Sequence, residues 1–263
     1  MKRIVLFFFL LSAIGGAGAQ QLPAAPELAD RIHAYAEQYR KNLPSFEVDE
    51  SAVVQRVVDG KLKKEVKLEM TLSEVRDEAK PGEFKDHYTF RLIDGKPPRK
   101  HLNLPPFNRP IQLPYFVRGV FSNVIGFGGT GGRSCMEYRV SPGKDSSTVQ
   151  LEVWNKPGPL PPDCEDMFED YHKTLLVEPA TGKVLHVTRS MSAKAATESH
   201  DVSFVDVDFA PQQLGDQTYW LPARFEAHNG TNEGRMTATF SNFHRYTSTV
   251  KVIASDPLPE VEP

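Results

Sequence analysis

Between Phe46 and Ile93 the chain repeats one unit, an alternating apolar and polar run that stops at Asp-Gly. Val66, Leu68, Met70 and Leu72 take one parity; Lys67, Glu69, Thr71 and Ser73 take the other. A period of two puts all the apolar side chains on one face of a half-buried antiparallel strand. Asp59-Gly60 and Asp94-Gly95 are the dipeptides that supply two positive φ angles to a tight hairpin. A chain punctuated this way turns back on itself instead of crossing over. No strand–helix–strand rhythm is present, so a parallel sheet is excluded.

The same grammar continues to the C-terminal end. Strands are expected at 53–58, 62–75, 84–93, 134–140, 148–154, 174–177, 184–191, 202–209, 219–225, 235–243 and 249–253, about eleven in all. Pro222 inside one of them predicts an edge or a bulge. No internal repeat points to a propeller. Two segments depart to a helical period. Glu27 to Asn42 places Leu28, Ile32, Tyr35 and Tyr39 on one face, and Leu43-Pro44 ends it. After the proline-rich stretch 97–114, residues 115–125 gather Phe116, Val117, Val120, Phe121 and Val124 on one apolar side. That short helix predicts either a plug in the open side of a curved sheet or a lid over a hydrophobic cavity. The five residues are the candidate ligand-binding set.

The N-terminal end reads as a secretory signal peptide over residues 1–19. Lys2 and Arg3 precede an apolar run from Ile4 to Ile14, and Ala17-Gly18-Ala19 supplies a cleavage site. The run is shorter than the roughly 20 residues of a membrane span, and no cysteine follows the cleavage site. The expected mature protein is periplasmic or secreted, without a lipid anchor or stable membrane insertion. Residues 20–255 suit one β domain, and the acidic, proline-rich stretch 256–263 reads as a disordered tail. The net charge of −3, with no basic block, argues against a nucleic-acid partner. An oxidising compartment and an even count of two predict a Cys135–Cys164 disulfide, with two buried thiols as the alternative.

Motifs that carry chemistry are missing or have plainer readings. Gly126 to Gly132 lacks the spacing and lysine of a phosphate-binding loop. There is no G-x-S-x-G elbow, no H-E-x-x-H and no pair of histidines four apart, so neither a serine hydrolase nor a metal centre is expected. Asp206 and Asp208 share a sheet face opposite Val205, Val207 and Phe209, as a solvated face does. Asn229-Gly230-Thr231 matches a glycosylation sequon, but the β-turn is the preferred reading of the same residues. No cofactor is expected, and no catalytic residues are assigned.

Three segments carry a resemblance. Pro179-Ala180-Thr181-Gly182-Lys183-Val184 forms a P-x-T-G-x-V hairpin; Trp220-Leu221-Pro222 and Ser241-Asn242-Phe243-His244-Arg245-Tyr246 follow in later strands. With the N-terminal helix, this order resembles secreted bacterial relatives of the outer-membrane lipoprotein carrier and receptor (LolA/LolB-like). The resemblance implies an unclosed β-barrel: one strongly curved antiparallel sheet covered by helices, whose concave side takes acyl chains or other lipid. It therefore implies a non-catalytic carrier for a lipid or lipidated protein. A cell-envelope protein-interaction module with a filled core is the alternative, and an envelope hydrolase is a more distant third.

Overall fold

The computed structural model describes residues 22–77, 79–80, 83–98, 117, 120–123, 135–158, 164, 171–192, 194, 202–229 and 233–246. The signal peptide, the tail, Gly126 to Gly132 and the expected strand 249–253 lie outside the described residues.

Among the described residues, ten strands form one antiparallel sheet: β1 (Phe46–Val58), β2 (Lys61–Arg76), β3 (Phe84–Ile93), β4 (Met136–Pro142), β5 (Val149–Asn155), β6 (His172–Glu178), β7 (Lys183–Ser190), β8 (Val202–Leu214), β9 (Gln217–Asn229) and β10 (Gly234–Arg245). Their order is β3-β2-β1-β10-β9-β8-β7-β6-β5-β4, with β3 and β4 at the two ends, so the sheet is not closed. Every connection joins sheet neighbours except β3 to β4, and β1 is joined to β10. Asp59 and Gly60 adopt φ of 51° and 71°, and Asp94 and Gly95 adopt 51° and 73°. These are the left-handed pairs that match the twist of the flanking strands.

Pro222 sits in β9, an interior strand, opposite a bulge between Asp208 and Phe209. The β9–β10 ladder stops at Arg224, so the missing proline N–H withdraws no bond from β10. The bulge reading holds and the edge reading does not.

Helix α1 (Ala25–Asn42) starts two residues before the expected boundary, with Pro26 in its first turn, where no N–H donor is needed. Leu28, Ala29, Ile32, Ala36 and Tyr39 are its buried face. Two contacts tie its length to opposite arms of the sheet. Arg31 Nη1 donates to the Pro179 carbonyl in the β6–β7 turn at 2.8 Å. Arg76 of β2 donates to the Arg40 and Leu43 carbonyls, both at 2.9 Å, and also to that of Lys41. The helix also touches β4, β5 and β7. In a flat sheet, strands at about 4.8 Å spacing would put β2 and β4 roughly 38 Å apart. The helix itself is only about 27 Å long. The sheet therefore curls, and α1 bridges its two arms across the concave side.

The concave side is the core. Val48, Val54, Leu68, Met70, Leu151, Leu175, Val207 and Phe225 alternate with exposed or half-buried neighbours and join α1 in one apolar cluster. The helix expected over 115–125 is described only as one turn, α2 (Val120–Asn123).

Candidate functional site

Of the five residues assigned to the apolar helix, the structure describes three. Phe116 and Val124 lie outside the described residues. Val117 packs half-buried against the core, and its backbone N–H points to Met236 Sδ at 3.3 Å. Val120 and Phe121 are 7% and 2% exposed. Phe121 is the centre of an aromatic group. Its ring meets Phe240 edge-on at 4.8 Å, Phe46 at 5.2 Å and Phe243 at 6.1 Å. Such edge contacts contribute roughly 0.5–1.5 kcal/mol each beyond area burial.

Around this ring the sheet register places carboxyl groups on the apolar face. Phe46 stands opposite Glu74, and Glu74 stands opposite Asp86. Phe240 stands opposite Glu50, and Glu50 stands opposite Met70. Glu50 and Glu74 are 2% and 1% exposed. Burial, and then the Asp86 charge, pushes Glu50 up to about 8. Burial, then Asp86, then Glu50 pushes Glu74 up to about 9. Both therefore hold a proton at neutral pH. With Glu74 ionised, neither of its oxygens has a hydrogen-bond partner. Protonated, it can donate to the Asp86 carboxyl it faces, so the pair is satisfied by sharing a proton.

Tyr39 enters the same corner from α1. It is 9% exposed, and its hydroxyl has no hydrogen-bond partner. Burial, then Tyr35 and Glu74 nearby, hold its pKa well above the ordinary phenol value. The opposite arm carries a buried amine. Lys173, 2% exposed, stands across β6–β7 from Arg189, and burial, then that cation, lowers it to about 7.

Sequence reasoning passed over these groups, yet a signal was present. Glu74 continues the parity of Val66, Leu68, Met70 and Leu72; Glu50 that of Val48 and Ala52; Lys173 that of Leu175 and Val177. A charged residue on the apolar parity marks a buried charge.

The convex side holds a polar lattice instead. Register sets His186, Asp208 and Arg224 in one row and Thr188, Asp206 and Glu226 in the next. His186 Nδ1 lies 2.8 Å from Asp208, and its Nε2 lies 3.1 Å from Thr188 and 3.3 Å from Asp206. The His186, Asp206 and Asp208 ligand atoms fall within 4.8 Å of one another, a spacing that could hold a cation. Arg224 already sits 3.5 Å from Asp208 and 3.8 Å from Asp206, supplying positive charge there. This is the solvated face expected for Asp206 and Asp208, laced by ion pairs.

Cys135 and Cys164 form the expected disulfide, with 5.8 Å between their Cα atoms and both residues fully buried. No helix among the described residues is long and apolar enough to cross a membrane.

No known family's sequence profile matches the chain, and no curated protein matches it in sequence. In structure it is similar to a DUF1329 family protein from Desulfovibrio piger, with a TM-score of 0.43 and 11% identity over 86% of this chain and 95% of the other. It is similar to a putative outer membrane lipoprotein-sorting protein domain from Vibrio parahaemolyticus (TM-score 0.46, 12% identity, 85% and 95% covered). It is also similar to a LolA superfamily protein from Nitrosomonas europaea (TM-score 0.36, 10% identity, 89% and 99% covered).

Proposed function

We propose that this chain is a non-catalytic, extracytoplasmic binding protein that carries a hydrophobic ligand, a lipid or the lipid of a lipoprotein, on the concave side of its sheet. One observation supports the reading above the others. The apolar interior is completed by Phe121, which is delivered by a segment outside the sheet and is not locked into a strand ladder. Withdrawing that segment would uncover Phe46, Phe240 and Phe243 together. Burial of an acyl chain there would contribute about 25 cal/mol per Å² of apolar surface. No covalent step is required. The buried disulfide and the N-terminal sequence support an oxidising address.

The 2% exposure of Phe121 favours a second reading, an envelope protein-interaction module whose interior is filled by its own side chains. Native mass spectrometry of the protein, purified from its envelope without detergent, separates the two. A co-purifying lipid, released by solvent extraction, is the expected result. A clean apo mass, unchanged after incubation with envelope lipids, selects the filled core.

A further inference from the structure

The carboxyl groups beneath Phe121 are an odd thing to build into an apolar interior. Burying an ionisable group costs several kcal/mol unless something compensates it. Glu50, Glu74 and Asp86 come from three adjacent strands and point to the same face. Arg76, the guanidinium on β2, turns its Nη2 to the carbonyls that end α1. Glu74, 1% exposed, has no hydrogen-bond partner at either oxygen when ionised, and Glu50 is 2% exposed beside it. Tyr39 adds a second unpartnered group from a different element, its hydroxyl buried beside Glu74. The walls are aromatic: Phe46 stands beside Glu74, Phe90 is two strands from Glu50 on the same row, beyond Met70, and Tyr88 lies on the row between.

Carboxylates set among aromatic faces recognise one ligand chemistry well. An organic ammonium gains charge pairing from the former and cation–π attraction from the latter. An anion would be repelled. A bare metal ion would demand six or more oxygens, which aromatic walls do not provide. We propose that the corner formed by Glu50, Glu74, Asp86 and Tyr39, covered by Phe121, is a subsite for an organic ammonium group at the head of the hydrophobic ligand. The subsite rests on the carrier reading and names the ligand class for it. Phe121 packs on Phe46 and Phe240, the register neighbours of Glu74 and Glu50, so the residue that would gate the apolar interior also caps the acidic corner.

The test is calorimetric titration of the purified, delipidated protein with three probes of one chain length: dodecylammonium, dodecanol and dodecanoate, each below its micelle threshold. At pH 8 the ammonium should bind at least tenfold tighter than the alcohol, and the carboxylate more weakly than either. Glu50→Gln and Glu74→Gln keep the uncharged shape the carboxyls already have. Each should erase most of the ammonium advantage and leave dodecanol affinity unchanged. Ammonium capture must also expel a proton, so its advantage should grow by about tenfold per pH unit between pH 6 and 8. The groups facing that proton are Glu50 on β1, Glu74 on β2, Asp86 on β3 and Tyr39 and Tyr35 on α1. Dodecanol binding without ammonium preference, or an advantage that survives both variants, overturns the subsite alone. Failure of all three probes to bind overturns the carrier reading and the subsite with it.

Discussion

Glu74 on β2 stands directly across from Asp86 on β3, on the buried face of the sheet, and the two carboxyls cannot both be charged there. The consequence is a pH dependence of stability. Glu50 and Glu74 titrate at about 8 and about 9 in the folded state, against an ordinary value near 4.5. The folded state therefore holds protons that the unfolded chain releases. Their stabilisation is complete below about pH 4.5 and is lost as pH rises through 8 to 9. Lys173, lowered to about 7, acts in the opposite direction above neutrality. Stability should thus fall between pH 5 and 7, by at most about 1.4 kcal/mol per pH unit for each carboxyl, and the melting temperature with it. In the Glu50→Gln, Glu74→Gln double variant the fall should flatten, as followed by circular-dichroism melts across that range.

Phe121→Asp should lose lipid uptake while keeping the β signal in circular dichroism, because the ring belongs to no strand ladder. Phe121→Leu, which preserves most of the apolar volume, should retain uptake. Equal uptake by the aspartate variant would refute the gate.

Gly182→Ala should cost more than a positive φ alone explains. At φ 72° its Cβ would come within 2.5 Å of the Arg31 carbonyl carbon and 2.8 Å of the Ile32 nitrogen, both backbone atoms of α1. Helix and turn must separate, at about 2–4 kcal/mol. Gly95→Ala is the control: φ is nearly equal, 73°, but nothing lies within 4 Å. It should cost about 1 kcal/mol. Denaturant melts of the two variants would give the difference directly.

Reduction of Cys135–Cys164 releases a loop of 29 positions. The chain-entropy estimate is about 3–4 kcal/mol, or roughly 6–16 °C in melting temperature for a domain of this size. Scanning calorimetry with and without reductant measures it; an unchanged melting temperature would show that the link is energetically idle.

The strands were readable because their apolar residues keep strict parity, as Val66 to Leu72 do, and because Asp59-Gly60 and Asp94-Gly95 admit few alternatives to a tight hairpin. Helix α1 was readable from Leu28, Ile32 and Tyr39 at helical spacing. Curvature was not, in the residues themselves: it depends on Arg31 and Arg76 finding carbonyls 148 and 33 to 36 positions away, and no local pattern encodes such distances. Local period placed Phe121 on an apolar face but could not name Phe46 and Phe240 as its neighbours. Glu50 and Glu74 escaped notice because a glutamate in a strand is ordinarily solvated; only its parity, weighed against both neighbouring strands, reveals burial.

The pairing of β1 with β10 has a consequence for how the molecule comes into being. Asn242 donates a hydrogen bond to Asp49 at 2.9 Å across 193 positions of chain. β1 must wait for β10 before the middle of the sheet can form. Early hairpins can close locally, but the interior has no continuous floor until β10 is present. Folding is then a late, slow event governed by non-local contacts. A chain cut short before Gly234 would leave β1 with a bare edge, an invitation to pair with another molecule rather than with itself.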